Sequence, residues 1–423
     1  MLPINLIRED PDLVENGIAA KQEKIAIDQI LKLDKEQRTL LNDLNEKRAL
    51  RNKTSEKIGK AKMQGEDSSD AIKEMQGLSK NIKIIESNLI KVNIQLEPLL
   101  YEIPNLPHNS VPTGSSPEDN VVIREWGKKP KSNFKYKNHL ELGEKLDLFD
   151  FKKGAAIAGS GFPLYIGHGA KLERSLINYM LDFHVANYSC KEILPPFVSR
   201  MEAMRNTAQI PKLQDDMYFI DRDGLYLIPT AEVPVTNIHQ NEIIDEKMLP
   251  INYVAYSACF RREAGSYGKD TRGFTRLHQF NKVEIVKFVK PENSYAELEA
   301  LTLQAEAVLQ SLGLHYRVLA LCAGDLSFAS AKSYDIEVWA PGEGRWLEVS
   351  TCSNFGSFQA RRGKIRYRKE EDKKVDFVHT LNGSGVATPR LMIALLETYQ
   401  QADGSIKLPE VLQSYFGAEV IKK

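Results

Sequence analysis

Between Phe260 and Val286 the chain reads FRREAGSYGKDTRGFTRLHQFNKVEIV, in which bases, acids and a ring are spaced to face one surface. Arg261 and Glu263 are two apart, as are Phe280, Lys282 and Glu284, and side chains two apart on a strand share a face. Paired as an antiparallel hairpin, the two arms would present an arginine, two carboxylates and an aromatic ring together. Such a set suits a nucleoside triphosphate plus an amine. Arg261 and Glu263 read equally as an exposed ion pair of little energetic weight. The context favours chemistry. Ala264 to Arg276 is a 13-residue connection, long for a hairpin. It carries Gly265, Gly268 and Gly273 with Lys269, Arg272 and Arg276, a cationic glycine-rich lid whose amides and guanidinium forks could wrap phosphate oxygens. Aromatic strand residues are usually core, but Leu277, Val283 and Ile285 supply the buried face here, leaving Phe280 free to stack on a base.

Three further segments carry candidate groups. Thr230 and Glu232 lie in LIPTAEVPVTN, bracketed by Pro229 and Pro234. They read either as a plain turn or as a hydroxyl and a carboxylate held stiffly for a small polar ammonium. Glu348 and Thr351, in RWLEVSTCSN, offer a carboxylate and a hydroxyl to a hard cation. Strict alternation would pair Glu348 with Ser350, so Thr351 joins only if the strand ends or bulges there. In NGSGVATPR, Asn382 to Arg390, a glycine-rich entry and Pro389 open a helix. Arg390 opposes the dipole at that end, which a bound anion would explain.

These groups need elements to hold them. The 423 residues suggest two or three domains, and 42% hydrophobic residues can build a sizeable core. Lys+Arg and Asp+Glu are both 57, so any basic surface must be local. Cys190, Cys259, Cys322 and Cys352 are scattered, which suggests neither a disulfide framework nor a zinc ribbon. The mixed, acidic start lacks a signal peptide's apolar core, and no window approaches a membrane span. A cytoplasmic protein is expected. From about Ile25 to Gln64 proline is absent. GEDSSD is a turn, and Met75, Leu78, Ile82, Ile85, Leu89, Val92 and Leu96 keep 3-4 spacing on the return. That predicts an antiparallel coiled-coil arm over about 25–100. Ile30, Leu33, Leu40, Leu44 and Ile58 fit the outgoing seam, while Gln37, Lys47, Arg51 and Thr54 interrupt it. The hairpin reads either as a solvated spacer or dimerisation arm, or as a nucleic-acid contact. Ten Lys/Arg against five Asp/Glu from Leu31 to Gln64 favour phosphate contacts. After a linker with four prolines, strand-like runs (Leu225–Pro229, Asn252–Arg262, Leu277–Lys287, Ser333–Trp339, Arg345–Ser350) alternate with helical ones (Gly169–Val185, Pro291–Leu312, Pro389–Gln401). Antiparallel hairpins with helices outside predict an α+β domain. Neither G-x-G-x-x-G after a strand nor a P-loop is present.

Together these motifs resemble those of the class II aminoacyl-tRNA synthetases, in the bacterial-type seryl variant, across the whole chain. The resemblance implies an N-terminal tRNA-binding domain over 1–105 and a catalytic domain over 106–423, with a seven-stranded antiparallel sheet flanked by helices. It implies a homodimer, with the helix from about Leu172 to Ala186 and the strand ending at Pro195 at the interface. RNTAQIPK, Arg205 to Lys212, is similar to a family segment that has glycine where this chain has Ala208. By the same resemblance Thr230, Ala231, Glu232, Glu284 and Ser384 would bind L-serine, Glu232 taking the ammonium and Glu284 the hydroxyl. Arg261, Arg262, Glu263, Phe280, Arg390 and the run Glu348, Val349, Ser350, Thr351 would bind ATP. Arg261, Arg276 and Arg390 would be the catalytic cations. Glu348 and Thr351 would ligate Mg2+, threonine replacing the commoner serine with its oxygen kept; no zinc is expected. The implied activity is serine–tRNA ligation through seryl-adenylate, the arm gripping the long variable arm of serine tRNA and, where it exists, selenocysteine tRNA. The rivals are a paralogue charging a carrier protein, a degenerate, non-catalytic RNA-binding or coiled-coil scaffold, and another class II specificity such as threonine or proline, which the TAE loop and the coiled-coil arm disfavour.

Overall fold

The computed structural model describes residues 1–263 and 273–423. Two compact units emerge: Leu2–Ala19 with Glu23–Pro104, and Asn105–Lys423 with Met1 and Ala20–Gln22. Among the described residues no helix is long and apolar enough to cross a membrane.

The first unit is dominated by two helices, α1 (Ile27–Gln64) and α2 (Ser69–Glu102). At 1.5 Å per residue α1 is about 57 Å long. Gly65 closes it at φ +73°, the left-handed conformation glycine adopts without penalty. The return seam buries Leu78, Ile82, Ile85, Leu89, Val92 and Leu96, while Met75 is half-buried. Opposite, Ile30, Leu33, Leu44, Thr54 and Ile58 are buried. Leu40, Gln37, Lys47 and Arg51 are half-buried, so polar residues do occupy the outgoing seam. Gln37 Nε2 donates to Asn93 Oδ1 at 2.7 Å, and Arg48 pairs with Glu86 at 2.8 Å. Near the base, Asp34 is buried and accepts from Arg8 through both nitrogens at 2.9 Å and from Arg38 at 3.0 Å. The Arg8 contact holds its carboxyl below the usual range.

The second unit is built on a sheet of eight strands: β1 (Val121–Trp126), β2 (Lys191–Ile193), β3 (Ile251–Phe260), β4 (Gln279–Val289), β5 (Tyr316–Ala320), β6 (Lys332–Ala340), β7 (Arg345–Asn354) and β8 (His379–Ala387). Their order is β1-β5-β6-β7-β8-β4-β3-β2. The sheet has one strand more than the resemblance implied, and β2 pairs with β3 in parallel. Every other neighbour is antiparallel. Residues 282–289 of β4 are buried without alternation, as befits a strand covered on both faces. Helices α3 (Gly167–Tyr188), α4 (Ser294–Ser311) and α5 (Thr388–Tyr399) bury apolar faces in the same core as β4–β8.

Two bulges shape the middle of this sheet. Ile336 opposes Ser350 and Glu337 opposes Glu348, so Val349 is an extra residue in β7. Lys282 opposes Ala387 and Glu284 opposes Ser384, so β8 carries Gly385 and Val386 against Val283. Val386 sits at φ +109°, a costly conformation for a β-branched side chain.

Candidate active site

Both bulges border one cavity of about 810 Å³ between the strands and the loop after Phe274. That size falls in the range of small-molecule sites. Thr230, Glu232, Arg261, Glu263, Arg276, Phe280, Glu284, Glu348, Val349, Ser350, Thr351, Ser384 and Arg390 all line it. Two expected residues bring no side chain there. Ala231 is fully buried in a neighbouring apolar cluster. Arg262 turns to the Met217 carbonyl at 3.2 Å and lies over the Tyr218 ring.

One end of the cavity is a polar pocket for something small. The bulge in β8 sets Ser384 opposite Glu284. The Thr230 hydroxyl donates to Glu284 Oε2 at 2.8 Å, and Asn382 Nδ2 donates to Oε1 at 3.2 Å. Lys282 is buried, donates to Thr230 Oγ1 at 3.0 Å and forms an ion pair with Glu284. Glu232 accepts from Gln359 Nε2 at 2.6 Å, and Thr380 fixes that amide from behind at 2.8 Å. Burial first, then the charge of Glu284, pushes the Glu232 carboxyl up to about 7. Lys282 was legible as a member of the alternating polar face, though without a role. Asn382 sits in the quoted glycine-rich motif. Gln359 comes from the short helix Phe358–Gly363, and nothing in its local sequence marks it.

The other end is cationic. Arg261 and Glu263 do not share a strand face as expected, because β3 ends at Phe260 and Glu263 adopts φ +52°. They reach the cavity from the turn beyond. The Arg261 amide is held by the His278 carbonyl at 2.9 Å, its Nε by the Pro229 carbonyl at 3.3 Å, and its guanidinium lies 5.2 Å from the Phe280 ring centroid. Arg276 pairs with Glu263 at 2.8 Å. Arg390, in the first turn of α5, donates to the Glu348 carbonyl at 2.9 Å and lies 3.4 Å from its carboxylate. Gly265, Gly268, Lys269 and Arg272 of the expected lid lie outside the described residues. Its downstream end is anchored. Phe274 is buried against Phe149, Phe151 and Tyr165, and a Cβ on Gly273 would come within 2.1 Å of His139 Nε2.

Glu348 and Thr351 are brought together by the bulge at Val349, which answers the alternation problem. Thr351 Oγ1 lies 3.4 Å from Glu348 Oε1 and donates to Asp335 Oδ1 at 2.6 Å. Burial first, then Glu348, holds the Asp335 carboxyl well above the usual range. An all-oxygen set of carboxylates and a hydroxyl fits a hard divalent cation. Asp335 was missed at the sequence level. It lies in the predicted strand Ser333–Trp339, but its partner became visible only with the strand register.

Residues 217–399 match the family described as tRNA synthetase class II core domain (G, H, P, S and T), and residues 1–107 match the seryl-tRNA synthetase N-terminal domain. The serine--tRNA ligase of Chloroherpeton thalassium is 51% identical over 426 residues, covering 100% of both chains. That of Carboxydothermus hydrogenoformans is 50% identical over 423 residues, again covering 100% of each. Among solved structures, the seryl-tRNA synthetase from Pyrococcus horikoshii complexed with ATP is similar with a TM-score of 0.91 and 38% identity, covering 100% of this chain and 99% of that one.

Proposed function

Because the chain belongs to the class II seryl-tRNA synthetases, and so activates L-serine with ATP and passes the seryl group to the 3' end of serine tRNA, we propose the following division of labour among its residues. The carrying observation is the hydroxyl-and-carboxylate group of Thr230, Glu232, Glu284 and Ser384, which lines the same cavity as the arginines.

Serine enters with its ammonium toward Glu232 and its hydroxyl toward Glu284. Its carboxylate then faces the nucleotide end, where Phe280 stacks the adenine and Glu263 accepts from the adenine amino group. Arg261 takes the α-phosphate, while Arg276 and Arg390 leave Glu263 and Glu348 for the outer phosphates. The carboxylate oxygen attacks the α-phosphorus, the bond to the bridging oxygen breaks, and pyrophosphate leaves with that electron pair. The ribose hydroxyl of the tRNA terminus next attacks the seryl carbonyl, and AMP departs. No protein nucleophile is required. Positioning and cations aimed at developing charge supply the acceleration. Glu348 and Thr351 would hold Mg2+, which when bound neutralises phosphate charge. The arm over about 25–100 contacts the variable arm of the tRNA, selenocysteine tRNA included where present. The enzyme works as a cytoplasmic homodimer. Residues 1–105 are the tRNA-binding domain, and 106–423 are the catalytic domain.

The discriminating experiment is pyrophosphate exchange with each of the twenty amino acids, followed by charging of serine tRNA. Exchange with serine and arm-dependent charging support the assignment. Exchange without charging would favour a carrier-protein acceptor, and no exchange a binding scaffold. A pocket built to bond a hydroxyl leaves Glu284 and Thr230 unmatched when alanine enters. The kcat/KM for alanine in exchange is accordingly expected to fall about 10⁴-fold below that for serine. A ratio under a hundred would contradict Glu284 as the reader.

The Glu232 carboxyl also predicts a pH dependence. Below about 7 the empty pocket holds a proton there, and the serine ammonium must displace it. The KM for serine should therefore fall as pH rises toward 7 and level off above, and Glu232→Gln should flatten the profile. The folded pKa lies above the unfolded one, so its stabilising contribution is complete in acid and is lost as pH rises through about 7. A KM for serine that stays constant from pH 6 to 8 in the parent enzyme would exclude this coupling.

A further inference from the structure

Asp335 stands outside every role assigned so far. It faces Thr351 directly across the β6–β7 ladder and lines the same cavity as Glu348. The other acids of this wall have partners of their own. Glu337 pairs with Arg317 at 2.5 Å, and Asp325 accepts from Asn120 at 2.7 Å. Asp335 has no cationic partner among the described residues, and its donor is the Thr351 hydroxyl at 2.6 Å.

A hydroxyl has one proton to give and two lone pairs to offer. Two carboxylates compete for the Thr351 proton, Asp335 at 2.6 Å and Glu348 at 3.4 Å. The shorter contact lies in the range of well-formed O–H···O bonds, and the longer one is marginal. The proton therefore points at Asp335, and the lone pairs are left for the side on which Glu348 stands. Glu348 keeps its own oxygens for other work. Its side chain is 47% exposed, and Arg390 is its ion-pair partner at 3.4 Å. Only the bulge at Val349 makes this arrangement possible. In an unbroken strand Glu348 and Thr351 would lie on opposite faces, and the hydroxyl that Asp335 orients would not share a side with Glu348.

We propose that Asp335 is a positioning residue for the metal-bound nucleotide, holding the Thr351 hydroxyl proton so that this oxygen's lone pairs face the divalent cation. The inference rests on the reading of Glu348 and Thr351 as the cation's protein ligands. Asp335 acts through Thr351 and does not itself touch the ion. Its closest analogues are the outer groups that orient metal ligands elsewhere, whose loss typically costs about 10- to 100-fold in metal affinity.

The test is Mn2+ binding, followed by electron paramagnetic resonance, to the full-length enzyme saturated with a non-hydrolysable ATP analogue. Asp335→Ala and Thr351→Val should each raise the apparent Kd for Mn2+ about 10- to 100-fold. The double variant should be no weaker than the worse single variant, since both changes remove one device. Asp335→Asn, whose carbonyl oxygen still accepts the proton, should recover most of the affinity, and Thr351→Ser should bind nearly as the parent does. Thermal unfolding without nucleotide checks that each variant is folded, and the Thr351 variants probe the contact from its other side if Asp335→Ala is not. Unchanged Mn2+ affinity in Asp335→Ala overturns the proposal. Additive losses in the double variant, or an Asp335→Asn as weak as Asp335→Ala, also overturn it, making Asp335 a direct ligand. Glu348→Gln is the control on the premise. If that variant binds Mn2+ normally, the metal site itself is misassigned. If it loses affinity while Asp335→Ala does not, the site stands and only the role of Asp335 falls.

Discussion

Replacing Arg261 by alanine is expected to slow seryl-adenylate formation by about 10²- to 10³-fold, the scale of removing one preorganised donor aimed at developing charge. The expectation comes from how firmly the side chain is held before substrate arrives. Its backbone is bonded to His278, its Nε to Pro229, and its guanidinium rests against the Phe280 ring. Little entropy remains to be lost when phosphate binds, so most of the interaction is available to the transition state. Serine binding measured without ATP should change far less, because the hydrogen bonds around Glu284 do not involve this group. Lysine at 261 should recover only part of the rate, since an ammonium keeps the charge and lacks the planar fork. Single-turnover measurement of adenylate formation decides the matter, and a loss of less than fivefold in Arg261→Ala would remove the residue from the reaction.

The second large effect is confined to the RNA. An enzyme whose arm is cut back to the level of the Gln37–Asn93 pair, with a short glycine turn joining the helices, should exchange pyrophosphate with serine at the parent rate. Its kcat/KM for charging serine tRNA should drop about 10³-fold or more, as expected for losing several phosphate contacts at moderate salt. The cut keeps Asp34 with Arg8, so the base of the arm retains that anchor. It removes seven Lys/Arg and one Glu between Lys47 and Lys62. A milder version neutralises Lys53, Lys57 and Lys60 and should flatten the salt dependence of charging without altering exchange. Charging within tenfold of the parent by the shortened enzyme would show that the arm is a spacer.

What could be read from sequence followed from which forces are local. The α2 seam was legible because only one stripe of that helix is buried, so its heptads carry no competing signal. The α1 seam was less so, since Gln37, Lys47 and Arg51 are half-buried in positions that pattern alone would give to leucine. In the catalytic unit β3, β4, β6 and β7 were visible to within a few residues, whereas β1 and β5 were not read as strands and β8 was read as a glycine-rich entry to a helix; β4 is also buried on both faces and shows no clean alternation. The chemistry failed to follow simple alternation in two places. Arg261 and Glu263 lie past the end of β3, and Glu348 and Thr351 meet only because Val349 is looped out of register. Bulges are decided by the partner strand, which no local window contains. Gln359 and Asp335 share that difficulty, being given meaning by residues far away in the chain. Ala208 is instructive in the other direction. The position that resembled a glycine adopts φ +63°, so the family's glycine reflects backbone geometry that this chain bears with an alanine.

The arm's single seam has a thermodynamic consequence. No residue from 59 to 77 is buried, so the turn end is held by little beyond helix propensity and its own backbone bonds. Amide hydrogen exchange should show protection that declines continuously from Leu33 and Val92 toward Gly65, reaching nearly unprotected rates at the turn. The body, with its doubly covered central strands, should exchange only through far larger openings. Calorimetry should then resolve an early, low-enthalpy transition for the arm ahead of the main one, with tRNA moving the first far more than serine does. A single melting temperature would describe neither part of the molecule.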